Sequence, residues 1–198
     1  MPMTFCPECG RRLVFQVVEG HERPVCDKDT GGCGFIDFGR YSLGVGGIVV
    51  SEEDGVKRVL LIERNAEPNR GTWTIPGGFC AWNETAQVAV AREVQEETGV
   101  ECEIIGLVAF RNRVDPTYNN SYAVFLLRAI GGKVNGEPTE EIATAGFYTL
   151  AELDNMPRLS PLSRALAVAA LTDALVVLHP MQVTSWVKGH PVMTLWMG

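Results

Sequence analysis

The stretch Gly78-Phe79-Cys80-Ala81-Trp82-Asn83-Glu84, followed after seven residues by Arg92-Glu93-Val94-Gln95-Glu96-Glu97-Thr98-Gly99-Val100, decides the reading of this 198-residue chain. Glu84 to Thr98 is expected to be a helix, with Asn83 as its N-cap and Gly99 placed to end it. On that helix Glu93, Glu96 and Glu97 stand at i, i+3 and i+4, so three carboxylates share one face. Like charges at those spacings disfavour a helix by about 0.2–0.5 kcal/mol per pair. A solvated face would interleave basic partners, and the one here is Arg92, four residues before Glu96. Three oxygen donors within two turns are what a hard divalent cation such as Mg²⁺ needs. Ala86, Ala89 and Val90, read as continuing that face, are small enough to let a ligand approach. Upstream, Pro76-Gly77-Gly78 lets the backbone turn tightly and bring a carbonyl to the metal.

This stretch resembles the signature box of the Nudix hydrolases. Gly78, Glu84, Arg92, Glu93, Glu96, Glu97 and Gly99, with the aliphatic Val94 and Val100, stand at the family's spacing. Trp73-Thr74-Ile75-Pro76-Gly77-Gly78 is similar to the strand and loop before the box. Glu141-Ile142, Gly146-Phe147-Tyr148 and Leu150-Ala151-Glu152-Leu153 are similar to the family's late strand and the turn after it. One departure is Asn83, where many members carry Gly; Asn tolerates a left-handed backbone better than other non-glycine residues.

The resemblance covers roughly Tyr41 to Leu178 and implies an α/β fold, a Nudix-type α/β/α sandwich with a mixed sheet. It also implies a Mg²⁺- or Mn²⁺-dependent hydrolase that cleaves a nucleoside diphosphate linked to another moiety. Glu93 and Glu97 are then the principal metal ligands, Glu96 shares a further ion, and Gly77 offers its carbonyl. Arg92 orients the glutamates, and Glu84, round the helix from Glu93, is structural. The general base is a box glutamate or a carboxylate from a later loop; Glu141, beside Glu140, is the candidate, against the reading of an ordinary acidic turn.

The substrate is less legible. Phe79, Trp82, Arg70, Arg111, Arg113 and Tyr118 fall in loops and strand ends that could hold a base or ribose. The loop Asn65-Ala66-Glu67-Pro68-Asn69-Arg70-Gly71 resembles that of members acting on ADP-ribose or on dinucleotide cofactors such as NADH and FAD. Pro116 resembles a placement linked with ADP-ribose cleavage, although turns favour proline anyway. The Ser-Gln-Pro-Trp-Pro-Phe-Pro run of the zinc-bearing NADH pyrophosphatases is absent. The rival readings are a house-cleaning nucleoside triphosphatase and a Nudix-fold ligand sensor, which would not need all three glutamates.

Ahead of the box region, Cys6-Pro7-Glu8-Cys9-Gly10 forms a two-residue knuckle suited to tetrahedral Zn²⁺, and Cys26 and Cys33 follow at wider spacing. Leu13 to Val18 and His21 to Val25 read as a hairpin turning at Glu19-Gly20. About forty residues bury too little apolar surface to fold alone, so Cys6, Cys9, Cys26 and Cys33 are expected to hold a structural zinc in a ribbon over 1–40. Residues 41–180 form the main domain. The tail 181–198 alternates weakly and stays open between an extra hairpin and an interface element, as in a homodimer.

Composition sets the outer limits. Lys and Arg number 17 against 24 Asp and Glu, a net charge of −7. That argues against a nucleic-acid partner, and the small-molecule nucleotide that the resemblance implies would need a cation to mediate. With 46% hydrophobic residues and no low-complexity run, the bulk of the chain is not disordered. The apolar stretch Leu162 to Leu178, in a helix expected over Pro161 to Leu178, is too short to span a membrane and carries Arg164 and Asp173. No basic-then-apolar leader is visible at Met1 to Cys6, so a cytoplasmic location with reduced thiols is expected.

Overall fold

A computed structural model describes residues 3–115, 118–135, 137–183 and 193–198. They form two compact units: the chain up to Ser42 together with Arg113–Asn120, and Leu43–Asn112 with Ser121–Gly198.

In the first unit, β1 (Val14–Val18) pairs antiparallel with β2 (His21–Val25), Val18 opposite His21. Glu19 and Gly20 both take left-handed φ, 52° and 79°, the backbone of a two-residue turn that matches strand twist. Its apolar cluster consists of Cys6, Leu13 and Cys26, with Phe35 against it, and Pro24 and Val25 are buried as well.

The second unit is built on β3 (Tyr41–Glu53), β4 (Val56–Arg64), β5 (Trp73–Thr74), β6 (Gly77–Phe79), β7 (Val100–Asp115), β8 (Tyr118–Gly132) and β9 (Ile142–Tyr148), except that 41–42 of β3, 113–115 of β7 and 118–120 of β8 are counted with the first unit. Their order is β5-β4-β3-β8-β7, with β6 on β3 and β9 on β4. Alternation along the strands divides the core. Val45, Val49, Leu60, Ala123, Phe125 and Leu127 face one way and pack on α1 (Ala86–Thr98). Ile48, Val59, Leu61 and Val124 face the other way, against α2 (Leu150–Asp154) and α3 (Pro161–Leu171). A sheet sandwiched between helices is the α/β/α arrangement expected. Among the described residues no helix is long and apolar enough to cross a membrane.

Three expectations are corrected. The box helix begins at Ala86, capped by the Thr85 hydroxyl rather than by Asn83. Glu84 stays outside it because its carboxylate is held by the Ala81 N–H and by Arg92. Gly99 does end the helix, at φ 75° with its N–H on the Gln95 carbonyl. Ala89 and Val90 do not admit a ligand; with Val94 they are fully buried against the sheet. Gly47 allows that approach, since a Cβ there would lie 2.9 Å from Val94 Cγ2.

The last helix stops at Leu171, not Leu178. Asp173 turns left-handed (φ 56°) and pairs with Lys57 at 2.5 Å. The apolar residues beyond are used by the sheet instead: Leu178 exchanges both backbone hydrogen bonds with Leu107. Val177 sits where any side chain on Gly106 would collide with it.

Toward the C-terminus β10 (His179–Val183) pairs antiparallel with β11 (Met193–Met197), His179 opposite Met197. Trp196 lies edge-on to the buried Phe125, centroids 5.3 Å apart. Trp196→Ala should therefore lower stability by about 2 kcal/mol, less than for a fully buried Trp because the ring is half-exposed. Urea denaturation of the variant beside wild type measures this.

Candidate active site and cysteine cluster

β6 brings the turn Pro76-Gly77-Gly78 beside the box helix. Gly77, at φ 154°, must lack a side chain, because a Cβ would lie 2.1 Å from the Val45 carbonyl oxygen. Its N–H donates to Glu97 Oε2 at 2.8 Å. Glu97 continues the stripe of Val90 and Val94 one turn further, so the helix itself carries this carboxylate toward the core. Burial pushes it up to about 8; the Gly77 N–H opposes, and the charges of Glu93 and Glu141 add to the rise.

Glu93 lies against Gly78, where a Cβ would be 2.5 Å from the Glu93 carboxyl carbon. Arg92 ties the group together. Its Nη1 donates to Glu93 Oε1 at 3.0 Å and to Glu96 Oε2 at 2.9 Å. Its Nε and Nη2 fork onto the two oxygens of Glu84 at 3.2 and 2.8 Å, and Nη2 also reaches the Phe79 carbonyl. This network, Glu84 first, holds the guanidinium firmly charged, while Arg92 holds the Glu84 carboxyl below its usual range.

Across from α1, Thr139, Glu140 and Glu141 form the second wall of a cleft of about 360 Å³ shared with Glu93, Glu96 and Glu97. Asn65 pins that wall, its N–H on the Glu141 carbonyl and its Nδ2 on the Thr139 carbonyl, both 2.7 Å. Among the described residues, five carboxylates and no basic side chain line this cleft. Such a set of oxygen donors suits a hard divalent cation, which would offset their repulsion.

Of the aromatic candidates, Phe79 ends β6 and Trp82 lies in the loop between β6 and α1; they are 68% and 96% exposed. Arg70 is exposed in the loop after β4. Arg111 lies over the Tyr122 ring, 5.2 Å from its centroid. Arg113 and Tyr118 belong to the other unit. The Tyr118 side chain and Pro116 lie outside the described residues.

Sequence reasoning passed over two residues. Arg64 sits where the β4–β9 register shifts, an irregularity that re-aims a side chain. Its Nε is buried without a hydrogen-bond partner among the described residues, and its charge acts on Glu97. Tyr122 is half-buried with its hydroxyl at the Gly77 turn. Burial pushes it up to about 12, aided by Glu97. Neither residue belongs to a motif; each reads as part of an apolar strand.

In the first unit the four thiols of Cys6, Cys9, Cys26 and Cys33 lie within 4.8 Å of one another, and none is in a disulfide. Cys6 and Cys33 sulfurs are 3.4 Å apart, Cys9 and Cys26 sulfurs 3.5 Å. The long Cys26–Cys33 spacing is folded back by a Gly32 N–H to Asp27 carbonyl bond, so that the Cys33 N–H reaches Cys26 Sγ. The Arg11 backbone and the Cys26 thiol draw Cys9 down to about 7. Four unlinked sulfurs at this separation fit a tetrahedral thiolate site.

Residues 40–167 match the NUDIX domain profile, and the chain belongs to that family. It is 35% identical over 123 residues to an ADP-ribose pyrophosphatase of Methanocaldococcus jannaschii, covering 60% of this chain and 66% of that protein. It is 28% identical over 158 residues to the NAD-capped RNA hydrolase NudC of Photobacterium profundum, covering 80% of this chain and 53% of that one. The matched stretch thus spans less than two thirds of either curated relative. A crystal structure of a NUDIX hydrolase from Nitrosomonas europaea superposes with a TM-score of 0.66 at 26% identity, over 86% of this chain and 92% of that one.

Proposed function

We propose that this chain is a Mg²⁺- or Mn²⁺-dependent pyrophosphohydrolase that cleaves a nucleoside diphosphate linked to another moiety, an ADP-ribosyl compound by preference, releasing AMP. The observation that carries the reading is the convergence of Glu93, Glu96, Glu97 and Glu141 on one cleft. When bound there, a divalent cation neutralises pyrophosphate oxygens and makes an attacking water more acidic. Glu97, fixed by the Gly77 N–H, and Glu93, fixed by Arg92, are the ligands held in place before any metal arrives. Glu96 is the more exposed of the box carboxylates and completes the set; the Gly77 carbonyl is proposed as a further donor. Glu141, which lines the same cleft from a loop held by Asn65, is proposed to take the proton of the attacking water. Phe79, Trp82, Arg70 and Arg111 are proposed to hold the nucleoside and its linked group.

The relative named ADP-ribose pyrophosphatase supports the choice of substrate, as does the loop Asn65 to Gly71. A ribosyl or flavin group beyond the scissile bond needs a pocket, whereas a terminal phosphate needs only charge. A chain of net charge −7 attracts a free triphosphate weakly. The four thiolates are proposed to hold one structural Zn²⁺.

The test is product analysis with kcat/KM for ADP-ribose, NADH and FAD against the common nucleoside triphosphates, with Mg²⁺ or Mn²⁺. AMP from a diphosphate-linked substrate is expected. A tenfold preference for any triphosphate, about 1.4 kcal/mol in transition-state binding, overturns the substrate choice.

Arg92→Lys should lower activity by about 10- to 100-fold, the usual effect of losing a group that orients metal ligands. A lysine cannot fork onto Glu84 while also bonding Glu93 and Glu96. The metal-activation curve should shift to higher Mn²⁺ concentration.

A further inference from the structure

Among the described residues the glutamate cleft has no basic side chain in its lining, yet the substrate it is proposed to take is an anion. Positive charge and a free donor lie on the other side of the Gly77 turn. The Tyr122 ring lies across β3, where two glycines face it. A Cβ on Gly44 would come 2.6 Å from the ring, and one on Gly46 would come 2.3 Å from the hydroxyl. A Cβ on Gly77 would be 3.0 Å from that same hydroxyl. Three glycines therefore clear the space the phenol occupies and bring its oxygen to the turn whose N–H binds Glu97. Among the described residues the hydroxyl has no hydrogen-bond partner, so its proton is available to a ligand. The Arg111 guanidinium covers the ring face, placing a cation beside that donor.

We propose that Tyr122 is a substrate-binding residue: its hydroxyl donates to a phosphate oxygen of the nucleoside monophosphate half of the substrate, while Arg111 beside it supplies positive charge to the same phosphate. The proposal rests on the nucleotide-hydrolase reading above. A phosphate engaged by a cation at Glu97 has the Gly77 turn beside it, and Tyr122 and Arg111 then supply a hydrogen bond and a charge that the carboxylate walls lack.

Tyr122→Phe keeps the ring in its glycine-lined space and removes only the oxygen. Three measurements on this variant test the proposal. Calorimetric titration with AMP in Mg²⁺, which involves no turnover, should show binding about tenfold weaker than wild type. With ADP-ribose, KM should rise about tenfold while kcat stays within about threefold. Mn²⁺ affinity of the nucleotide-free protein, from water-proton relaxation, should not change. Arg111→Gln should weaken AMP binding in the same direction. Equal AMP titrations for wild type and Tyr122→Phe, whether both bind or neither does, overturn the proposal. So does a parallel loss of Mn²⁺ affinity, which would make the hydroxyl a prop for the Gly77 turn. A wild type that binds AMP but cleaves no diphosphate-linked substrate sinks the hydrolase reading, while the AMP comparison still decides the role of Tyr122.

Discussion

Glu97→Gln should reduce kcat about 100- to 1,000-fold on whichever substrate is turned over, with the fold intact. The side chain is nearly isosteric, and its amide oxygen can still accept the Gly77 N–H that Glu97 accepts at 2.8 Å. What disappears is one full negative charge at a partly buried position of the cleft, where an ion pair with a divalent cation is screened less than at the surface. The same substitution should leave thermal stability in chelator equal to wild type or above it. The metal-free protein buries a carboxylate beside Glu93 and Glu141, and a neutral amide removes that repulsion. Glu96→Gln is expected to cost less, since Glu96 is 61% exposed and its charge acts through more water. Steady-state rates and melting curves of the two variants, with and without Mn²⁺, check the ordering. Near wild-type turnover in Glu97→Gln on every substrate would show that the site is wrongly assigned.

The difference between these two glutamates marks how far the sequence could be read. Spacing alone places Glu93, Glu96 and Glu97 on one helical face, and the helix does present them together. Spacing does not show that the stripe of Val90 and Val94 runs into Glu97, because that depends on which face meets the sheet. Taking Ala89 and Val90 as room for a ligand was the same error seen from the other side: small and apolar describes a tight helix–sheet contact equally well. The hairpin of the first unit was legible because Glu19-Gly20 is a local signal with a local cause. Arg64 and Tyr122 were not legible. Their environment is made by a register shift and by glycines distant in sequence, and neither leaves a periodicity. The stop of the last helix at Leu171 was hidden for a related reason. The apolar run continues to Leu178, but its final residue satisfies a strand partner, Leu107, 71 residues away in the chain.

Metal removal should divide the two units in a second experiment. The apolar cluster of the first unit amounts to Cys6, Leu13 and Cys26, with Phe35 against them, and two of its three buried members are thiols; outside it only Pro24, Val25 and Asp37 are buried among the described residues of that unit. So small a core does not offset the entropy of ordering some forty residues, whereas a bound structural zinc contributes about 10–16 kcal/mol in comparable small folds. Cys26→Ser, at a position with no exposure, should therefore abolish zinc binding. It should also erase amide-exchange protection across the hairpin of Val14–Val18 and His21–Val25. The second unit has two apolar cores of its own, on the two faces of its sheet, and should keep its protection pattern at Val45, Leu60 and Phe125. Elemental analysis of wild type purified without chelator is expected to give one zinc per chain, and the variant none. If Cys26→Ser retained a full equivalent of zinc, or lost it with hairpin protection unchanged, the cluster would not be what holds the first unit together. Four thiols within 4.8 Å of one another would then need another explanation.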